Sequence, residues 1–137
     1  MEPPLYPAPL FAPVAFPEPG LLMHLSELAT HTRNLLSRRA SSLLIAELDN
    51  LAVKDPQTLP RLTLVGESVV IPQQNKDFKK AGDLYLERFP EAKMRFGFSD
   101  FHLFRFIPAR GHFVGGFGSA EKISGQKIEN SLRNSFT

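Results

Sequence analysis

With 137 residues, 42% of them hydrophobic, the chain has the length of one domain with a buried core, and the absence of cysteine excludes disulfides, thiolate metal sites and cysteine nucleophiles. Its charges are scattered and sum to only +2, so the charge pattern does not indicate nucleic-acid binding. No apolar run approaches the ~20 residues of a membrane helix, and the N-terminus lacks the pattern of a signal peptide. We therefore expect a soluble cytoplasmic protein.

The N-terminal segment 1–19 carries seven of the 12 prolines, which predicts an extended Pro-rich arm. Within this arm, Leu10–Phe16 can still pair as an edge strand. The Pro-Glu-Pro-Gly at 17–20 is a turn signal, and the apolar run Leu21–Leu25 follows it. The pattern predicts a β-hairpin.

The next segment predicts a short helix, Glu27–Arg38, with Ser26 as its N-cap. Three leucines at helical spacing would form its inner face, namely Leu28, Leu35 and Leu36. Two stretches rich in β-branched and apolar residues, Ser41–Leu48 and Arg61–Ile71, are bounded by breakers such as Asp-Pro and predict strands.

Helical periodicity returns over Asp77–Phe89, and Pro90 is predicted to end that helix. Two more strands, Asp100–Ile107 and His112–Ile123, are predicted on either side of a tight Pro-Ala-Arg-Gly turn. The tail from Gln126 is expected to form a frayed helix. Because pairs of strands alternate with single helices, the order differs from the regular alternation of a parallel sheet. The predicted fold class is α+β, an antiparallel β-barrel with short flanking helices.

The densest polar cluster lies at Ser26–Leu35, where a strand runs into a helix N-terminus. Unpaired backbone N–H groups and the helix dipole favour an anion there, and hydroxyl or cationic side chains add donors. Those side chains are Ser26, Thr30, His31, Thr32 and Arg33. The commoner alternative is an ordinary N-cap followed by a solvated helix face. On composition alone, the cluster is a candidate phosphate site and no more.

A second cluster is rich in phenylalanine and glycine and covers Phe96–Phe106 and Gly111–Gly118. Eight of the 12 phenylalanines fall between Phe89 and Phe117. Glycine permits close approach of a ligand or another strand, and phenylalanine supplies flat apolar walls. The cluster therefore predicts either a pocket for a flat ligand or a barrel core with a bulge at Gly115–Gly116, and the residues leave both open.

In order and spacing, the two clusters resemble the pyridoxamine 5′-phosphate oxidase-like family of FMN-binding split barrels, and within it the haem-utilisation branch that includes haem-degrading proteins. The matching segments are Leu25–Leu35, Arg61–Thr63, Asp100–Arg105 and Val114–Gly125. As a linear series they are fairly specific, although each alone is weak. The resemblance implies a split-barrel FMN-binding-like domain over 8–130, with a C-terminal tail over 126–137.

The family implies a homodimer with cofactor sites at the subunit interface, and FMN is the suspected cofactor, with haem as the other possibility. By this resemblance the flavin phosphate would be held by Ser26, His31, Thr32 and Asn34, with Arg33 as a further candidate. Arg61 would border the cofactor, and Asp100 occupies the position of an acidic residue near the proximal haem ligand of haem-degrading relatives. The implied activity is flavin redox or haem-linked, as in an FMN-dependent oxidoreductase or a haem oxygenase-like protein.

Two departures from the family pattern affect these expectations. Relatives have a helix and a complete first strand before the segment matching Leu10–Phe16, so that strand is expected to be missing here or replaced by the Pro-rich arm. Haem-degrading relatives also supply an axial histidine beyond the match to Ser124–Gly125, whereas no histidine follows His112. His24, His31, His102 and His112 have no ligand spacing, and His102 and His112 are the possible haem-side residues. We expect no separate metal site.

Two alternatives to a flavoprotein remain open. The first is a haem-binding or haem-degrading protein that uses the same cleft without flavin. The second is a shortened, non-catalytic paralogue that keeps the dimer fold. Because the sequence shows neither paired catalytic carboxylates nor a nucleophile arrangement, any chemistry would be the cofactor's and the catalytic residues are not identified. Nucleic acid and membrane are not expected partners.

Overall fold

The computed structural model describes residues 12–14, 20–46, 61–115 and 120–134. Within them, six strands form one antiparallel sheet in the order β1-β2-β5-β4-β3, and β6 also pairs with β5. The strands are β1 (Ala12–Val14), β2 (Gly20–Ser26), β3 (Ala40–Ala46), β4 (Arg61–Val70), β5 (Phe101–Val114) and β6 (Ala120–Ser124). The helices are α1 (Thr30–Ser37), α2 (Phe78–Arg88), a 3-10 helix (Pro90–Gly97) and α3 (Gly125–Asn134). The predicted fold class, an antiparallel sheet with short flanking helices, is confirmed.

Strand β5 is the centre of the sheet. It is 14 residues long and pairs with β4 along one edge. On its other edge, β2 pairs with Phe101–Phe106 and β6 pairs with Arg110–Val114. Since β1 pairs with β2, with Ala12 opposite Leu22, the predicted N-terminal hairpin is confirmed for Ala12–Val14. The remainder of the Pro-rich arm lies outside the described residues.

Strands β2 and β5 bury side chains on both faces of the sheet. The inner face packs with α3 into one core, formed by Leu21, Met23, Leu25, Leu43, Leu64, Phe104, Phe106 and Ile128. The outer face packs under α2 into a second core, formed by Ala12, Leu22, Ile71, Ala81, Tyr85, Ala92 and Leu103. Phe104 and Phe106 are completely buried, which assigns much of the phenylalanine cluster to the core rather than to a ligand wall.

The predicted tight turn at Pro-Ala-Arg-Gly is wrong, because β5 continues through Pro108 without a break and β6 begins only at Ala120. Val65 pairs with Arg110 and Gly66 pairs with Pro108, so Ala109 is an extra residue that forms a bulge in β5, and such a bulge tolerates the missing N–H of a proline. Gly66 is required at this point, since an added Cβ would lie 2.0 Å from the Ile107 carbonyl oxygen. The bulge predicted at Gly115–Gly116 involves a residue outside the described part of the chain.

Helix α1 begins three residues later than predicted, and Ser26 is not its N-cap. The N-cap position is Ala29, which makes no side-chain capping bond. Ser26 instead ends β2, and its Oγ accepts the Leu28 backbone N–H at 3.1 Å, so it closes a turn before the helix. Leu28 is 84% exposed and therefore does not share the inner face of Leu35, which packs against the inner core.

The remaining elements agree closely with expectation. Strands β3 and β4 and helix α2 occur where predicted, and Ala81 and Tyr85 of α2 are buried as its periodicity indicates. Pro90 does more than end α2, because it opens a 3-10 helix that the sequence did not reveal. Helix α3 is anchored by Ile128, which is buried in the inner core. No helix among the described residues is long and apolar enough to cross a membrane.

Candidate functional site

The candidate site lies where β2 ends and β5 begins. Ser26, the last residue of β2, pairs with Phe101, the first residue of β5. The Glu27 backbone N–H donates to the Asp100 carbonyl oxygen at 2.7 Å, which fastens the turn after β2 to the residue before β5. We call this region the corner; it comprises Ser26, Glu27, Leu28, Arg33, Phe98, Asp100 and His102.

Two side-chain hydrogen bonds cross the corner. Ser26 Oγ donates to Asp100 Oδ2 at 2.5 Å, and His102 Nε2 is hydrogen-bonded to Glu27 Oε1. The His102 side chain is 25% exposed, so solvent or a ligand can reach part of the ring. A carboxylate that bonds one ring nitrogen orients the imidazole, as it does behind many metal-bound histidines. The corner therefore presents one oriented histidine.

Arg33 brings a cation to the same surface. Its guanidinium donates to the Glu27 carbonyl oxygen at 2.9 Å and to Thr30 Oγ1 at 3.3 Å. These contacts hold the exposed guanidinium over the turn between β2 and α1. A planar guanidinium in such a position suits a carboxylate or phosphate of a ligand.

Exposed apolar side chains occur in and beside the same segments as these polar groups. Leu28 is 84% exposed and Phe98 is 45% exposed, with the Phe98 ring centroid 6.0 Å from that of the half-buried Phe101. Met94, in the neighbouring 3-10 helix, is 76% exposed. Large apolar side chains grouped on a surface mark a binding or partner surface more often than isolated ones do. The corner thus combines apolar area, a cation and an oriented histidine.

Several backbone N–H groups around the start of α1 are hydrogen-bonded within the chain. The backbone N–H groups of Glu27, Leu28, Ala29, Thr32 and Arg33 already donate to oxygens of Asp100, Ser26 and Ala29. Thr32 is completely buried, and its Oγ1 has no hydrogen-bond partner among the described residues. Its hydroxyl is enclosed rather than presented to solvent, and its role in holding a phosphate stays a prediction. His31 and Asn34 lie on the exposed side of the helix.

The structure separates the other predicted site residues from the corner. Arg61, the first residue of β4, pairs with Val114, and Thr63 pairs with His112 of β5. Because alternate residues of a strand point to the same face, Arg61 and His112 lie on the same face of the sheet. Asp100 and His102 lie at the opposite end of β5. His102 and His112 are about 33 Å apart along the strand at the usual rise per residue. Of the predicted residues, Ser26, Arg33, Asp100 and His102 therefore come together, and Arg61 and His112 form a second group.

His24 lies in an aromatic environment beside the corner. Its ring stacks on Phe96 with centroids 3.9 Å apart and on Phe101 with centroids 4.9 Å apart. Burial, and then the nearby charges of Arg95 and His102, lower the His24 pKa from 6.5 to about 4. His24 is therefore a neutral packing residue near neutral pH. No cluster of three or more His, Asp or Glu side chains able to hold a metal occurs in the described ranges.

Sequence reasoning missed Glu27, Leu28 and Phe98 as members of the site. Glu27 and Leu28 were expected inside a helix, where their neighbours would have been other helical residues. Phe98 was grouped with the other phenylalanines, of which Phe104 and Phe106 are core residues, whereas Phe98 lies exposed in the segment just before β5. The available signal was the adjacency of Glu27 and Leu28 to the polar cluster in the sequence.

Residues 12–130 match the family model described as "CREG, beta-barrel". The chain belongs to this family. Over 107 residues, it is 34% identical to the chloroplastic heme oxygenase HOZ of Arabidopsis thaliana, and this match covers 77% of the chain but 30% of HOZ. The chain therefore spans only 30% of that relative's length.

Two solved structures share the fold of this CREG-type barrel. The heme binding protein from Mycobacterium smegmatis has a TM-score of 0.70 at 22% identity, with 90% of this chain and 54% of that chain covered. The heme storage protein HutZ from Vibrio cholerae has a TM-score of 0.64 at 21% identity, with coverages of 87% and 77%. The predicted split-barrel resemblance is confirmed at the level of family and fold, since the chain is a CREG-type barrel and solved haem-related proteins share its fold.

Proposed function

We propose that this chain is a haem-binding split-barrel protein whose corner contacts the haem. The observation that carries the proposal is the grouping of exposed Leu28 and Phe98 with the Arg33 guanidinium and the Glu27-oriented His102. The names of HOZ, HutZ and the Mycobacterium smegmatis protein support haem rather than flavin as the ligand class. We rank FMN second, because five backbone N–H groups around the start of α1 already have partners within the chain.

The residues of the corner fit haem in their chemistry. A largely apolar macrocycle suits the exposed Leu28 and Phe98, and a propionate suits the Arg33 guanidinium. His102, with Glu27 behind it, is the histidine of the corner that suits the iron. When bound, the haem would supply the redox chemistry. Haem degradation, a homodimer with shared sites and a cytoplasmic location remain part of the proposal.

A haemin titration tests the proposal. We expect the wild type to develop a sharp Soret band with an imidazole-ligated spectrum, and His102→Ala to lose that signature. His112→Ala is the matched control, because His112 lies on the same strand but outside the corner, and it should behave as the wild type. Unchanged spectra in both variants would contradict ligation by His102 and favour loose binding without a protein ligand.

The same experiment separates the alternative ligands. FMN titrated in parallel should leave flavin fluorescence unquenched if haem is the ligand. Saturable FMN binding that is much tighter than riboflavin binding would overturn the haem proposal and restore the flavin phosphate site. A protein that binds neither compound would correspond to the non-catalytic paralogue.

A further inference from the structure

A second surface, remote from the corner, carries a basic groove. The groove has a volume of about 610 Å³ and runs over the exposed face of β4, β5 and β6. We call it the β5–β6 groove; its lining residues include Thr63, Val65, Arg110, His112, Lys122 and Ser124. Volumes of roughly 300 to 1,000 Å³ are typical of small-molecule sites. The groove is therefore large enough for a ligand of nucleotide size.

Strand register places the basic side chains together. Arg110 and His112 are two residues apart on one face of β5, about 7 Å along the strand. Lys122 of β6 lies directly opposite His112, and like charges directly opposite one another in a sheet destabilise it when both are ionised. A bound anion would relieve that repulsion. The strand pairing therefore concentrates two or three positive charges within one groove.

Within the part of the chain that the structure describes, no carboxylate pairs with these cations in the groove. Among the described residues, Arg110, His112 and Lys122 have neither a hydrogen-bond partner nor an ion-pair partner, and all three are exposed. Glu121 is the nearest acidic residue along β6, but alternation directs it away from Lys122, and it pairs with Lys127 at 3.1 Å. The groove thus retains its positive charge.

Hydroxyl groups add neutral donors beside the cations. Thr63 lies opposite His112, and Ser124 lies opposite Arg110. Ser124 Oγ accepts the Lys127 backbone N–H at 3.2 Å, so its own hydroxyl hydrogen can be donated elsewhere. A guanidinium, an ammonium, an imidazole and two hydroxyls form a donor set that suits the many oxygen acceptors of a phosphate group.

We propose that the β5–β6 groove binds the diphosphate group of a small phosphorylated ligand. Arg110 contacts one phosphate as a bidentate donor, and His112 with Lys122 contacts the other, while Thr63 and Ser124 donate from their hydroxyls. The site goes beyond the proposed haem function, since none of these residues belongs to the corner. Diphosphate binding in the groove can therefore be tested on the protein without haem.

Titration of inorganic pyrophosphate into ¹⁵N-labelled protein, at constant ionic strength, tests the site. We expect saturable shifts of backbone amides in 110–112 and 122–124, and little change at the corner. Arg110→Ala and Lys122→Ala should each raise the Kd at least about tenfold, as loss of a charge-assisted hydrogen bond implies. Lys93→Ala, which removes an exposed lysine from the 3-10 helix, is the matched control and should change the Kd less than about twofold.

Shifts that are spread over all basic surfaces, or that do not saturate, would overturn the proposal even if a variant failed to fold, because the wild-type map alone shows them. Equal weakening by Arg110→Ala and Lys93→Ala would overturn it as well. ADP titrated in the same way distinguishes the source of the diphosphate. If ADP binds more tightly than pyrophosphate, the ligand of the groove is a nucleotide. If both bind equally, the ligand is inorganic diphosphate. Neither result depends on whether haemin binds at the corner.

Discussion

At the scale of single residues, His24 links the fold to pH. Burial is the largest cause that lowers its pKa from 6.5 to about 4. In the unfolded chain the imidazole titrates near its ordinary value, so the unfolded state binds the proton more tightly than the folded state does. The stability contributed by neutral His24 is therefore complete above pH 6.5 and is lost as the pH falls towards about 4.

Replacing His24 with phenylalanine should remove this dependence while keeping an aromatic ring against Phe96. Between about pH 7.5 and about pH 4.5, the wild type should lose about 1 to 2 kcal/mol more free energy of unfolding than His24→Phe, after allowance for partial exposure of the ring. Urea denaturation at the two pH values measures the difference. His112→Gln, at an exposed histidine, should keep the wild-type dependence. An unchanged dependence in His24→Phe would assign the pH effect to other groups.

Gly66 is the residue that permits Pro108 within a continuous strand. Gly66→Ala should lower the free energy of unfolding by at least ~2 kcal/mol, because the added methyl collides with backbone rather than with a side chain that can move. Gly97→Ala is the control, since no atom lies within 4 Å of the added Cβ. Urea midpoints of the two variants provide the comparison. Similar midpoints would show that the bulge in β5 opposite Gly66 adjusts easily.

At the scale of elements, the turn between β2 and α1 is attached to the start of β5 by side chains. Ser26 donates to Asp100, and Glu27 bonds His102, so residues 74 and 75 positions apart hold the corner in shape. The Ser26–Asp100 contact gives Asp100 a structural role that does not depend on a ligand. Asparagine can still accept the Ser26 hydroxyl hydrogen.

We therefore expect Ser26→Ala to lower the free energy of unfolding by about 1 kcal/mol, and Asp100→Asn to lower it less. A double-mutant cycle should return a coupling energy between the two positions. Haem affinity should stay within about twofold of the wild type in Asp100→Asn, because His102 and Arg33 are unaffected. Loss of haem binding in this variant, with the fold intact, would instead give Asp100 a direct role at the haem.

The element order was predictable because hydrophobic periodicity and turn residues act locally. Helix α2 is the best example, since its buried face follows from spacing alone. The course of β5 was not predictable, because whether Pro108 breaks a strand depends on Gly66, which is 42 positions away and pairs with Pro108 beside the bulge. The start of α1 was missed for a similar reason, because Ser26 is bonded to Asp100 rather than to a helix N–H.

At the scale of the whole molecule, exposed apolar side chains bear on the predicted dimer. The large exposed apolar side chains of the described residues are Leu28, Leu36, Leu44, Met94 and Phe98. The resemblance implies a homodimer, and the corner carries three of these five side chains or lies beside them. Site residues such as Arg33 and Asp100 were identified by resemblance, whereas their contacts required the pairing of β2 with β5.

We expect a dimer at micromolar concentration in sedimentation experiments, with the corner in its interface. Phe98→Ser should shift the protein towards the monomer, because it removes an aromatic side chain from that surface. Leu44→Ser, on β3, is the control and should leave the dimer intact. A compact monomer at all concentrations would contradict a shared interface. Dissociation by Leu44→Ser alone would move the interface to β3.

The pairing of β2 with β5 also sets an order of events during synthesis. Strand β2 leaves the ribosome first, but the residue that pairs with Ser26 is Phe101, 75 positions later. At usual translation rates of about 5 to 20 residues per second, β5 is synthesised about 4 to 15 s after β2. During that interval the apolar residues of β2, among them Leu22 and Met23, have no β5 to cover them. The nascent chain is therefore expected to be a chaperone client, and slower translation between α2 and β5 should lower its yield of folded protein.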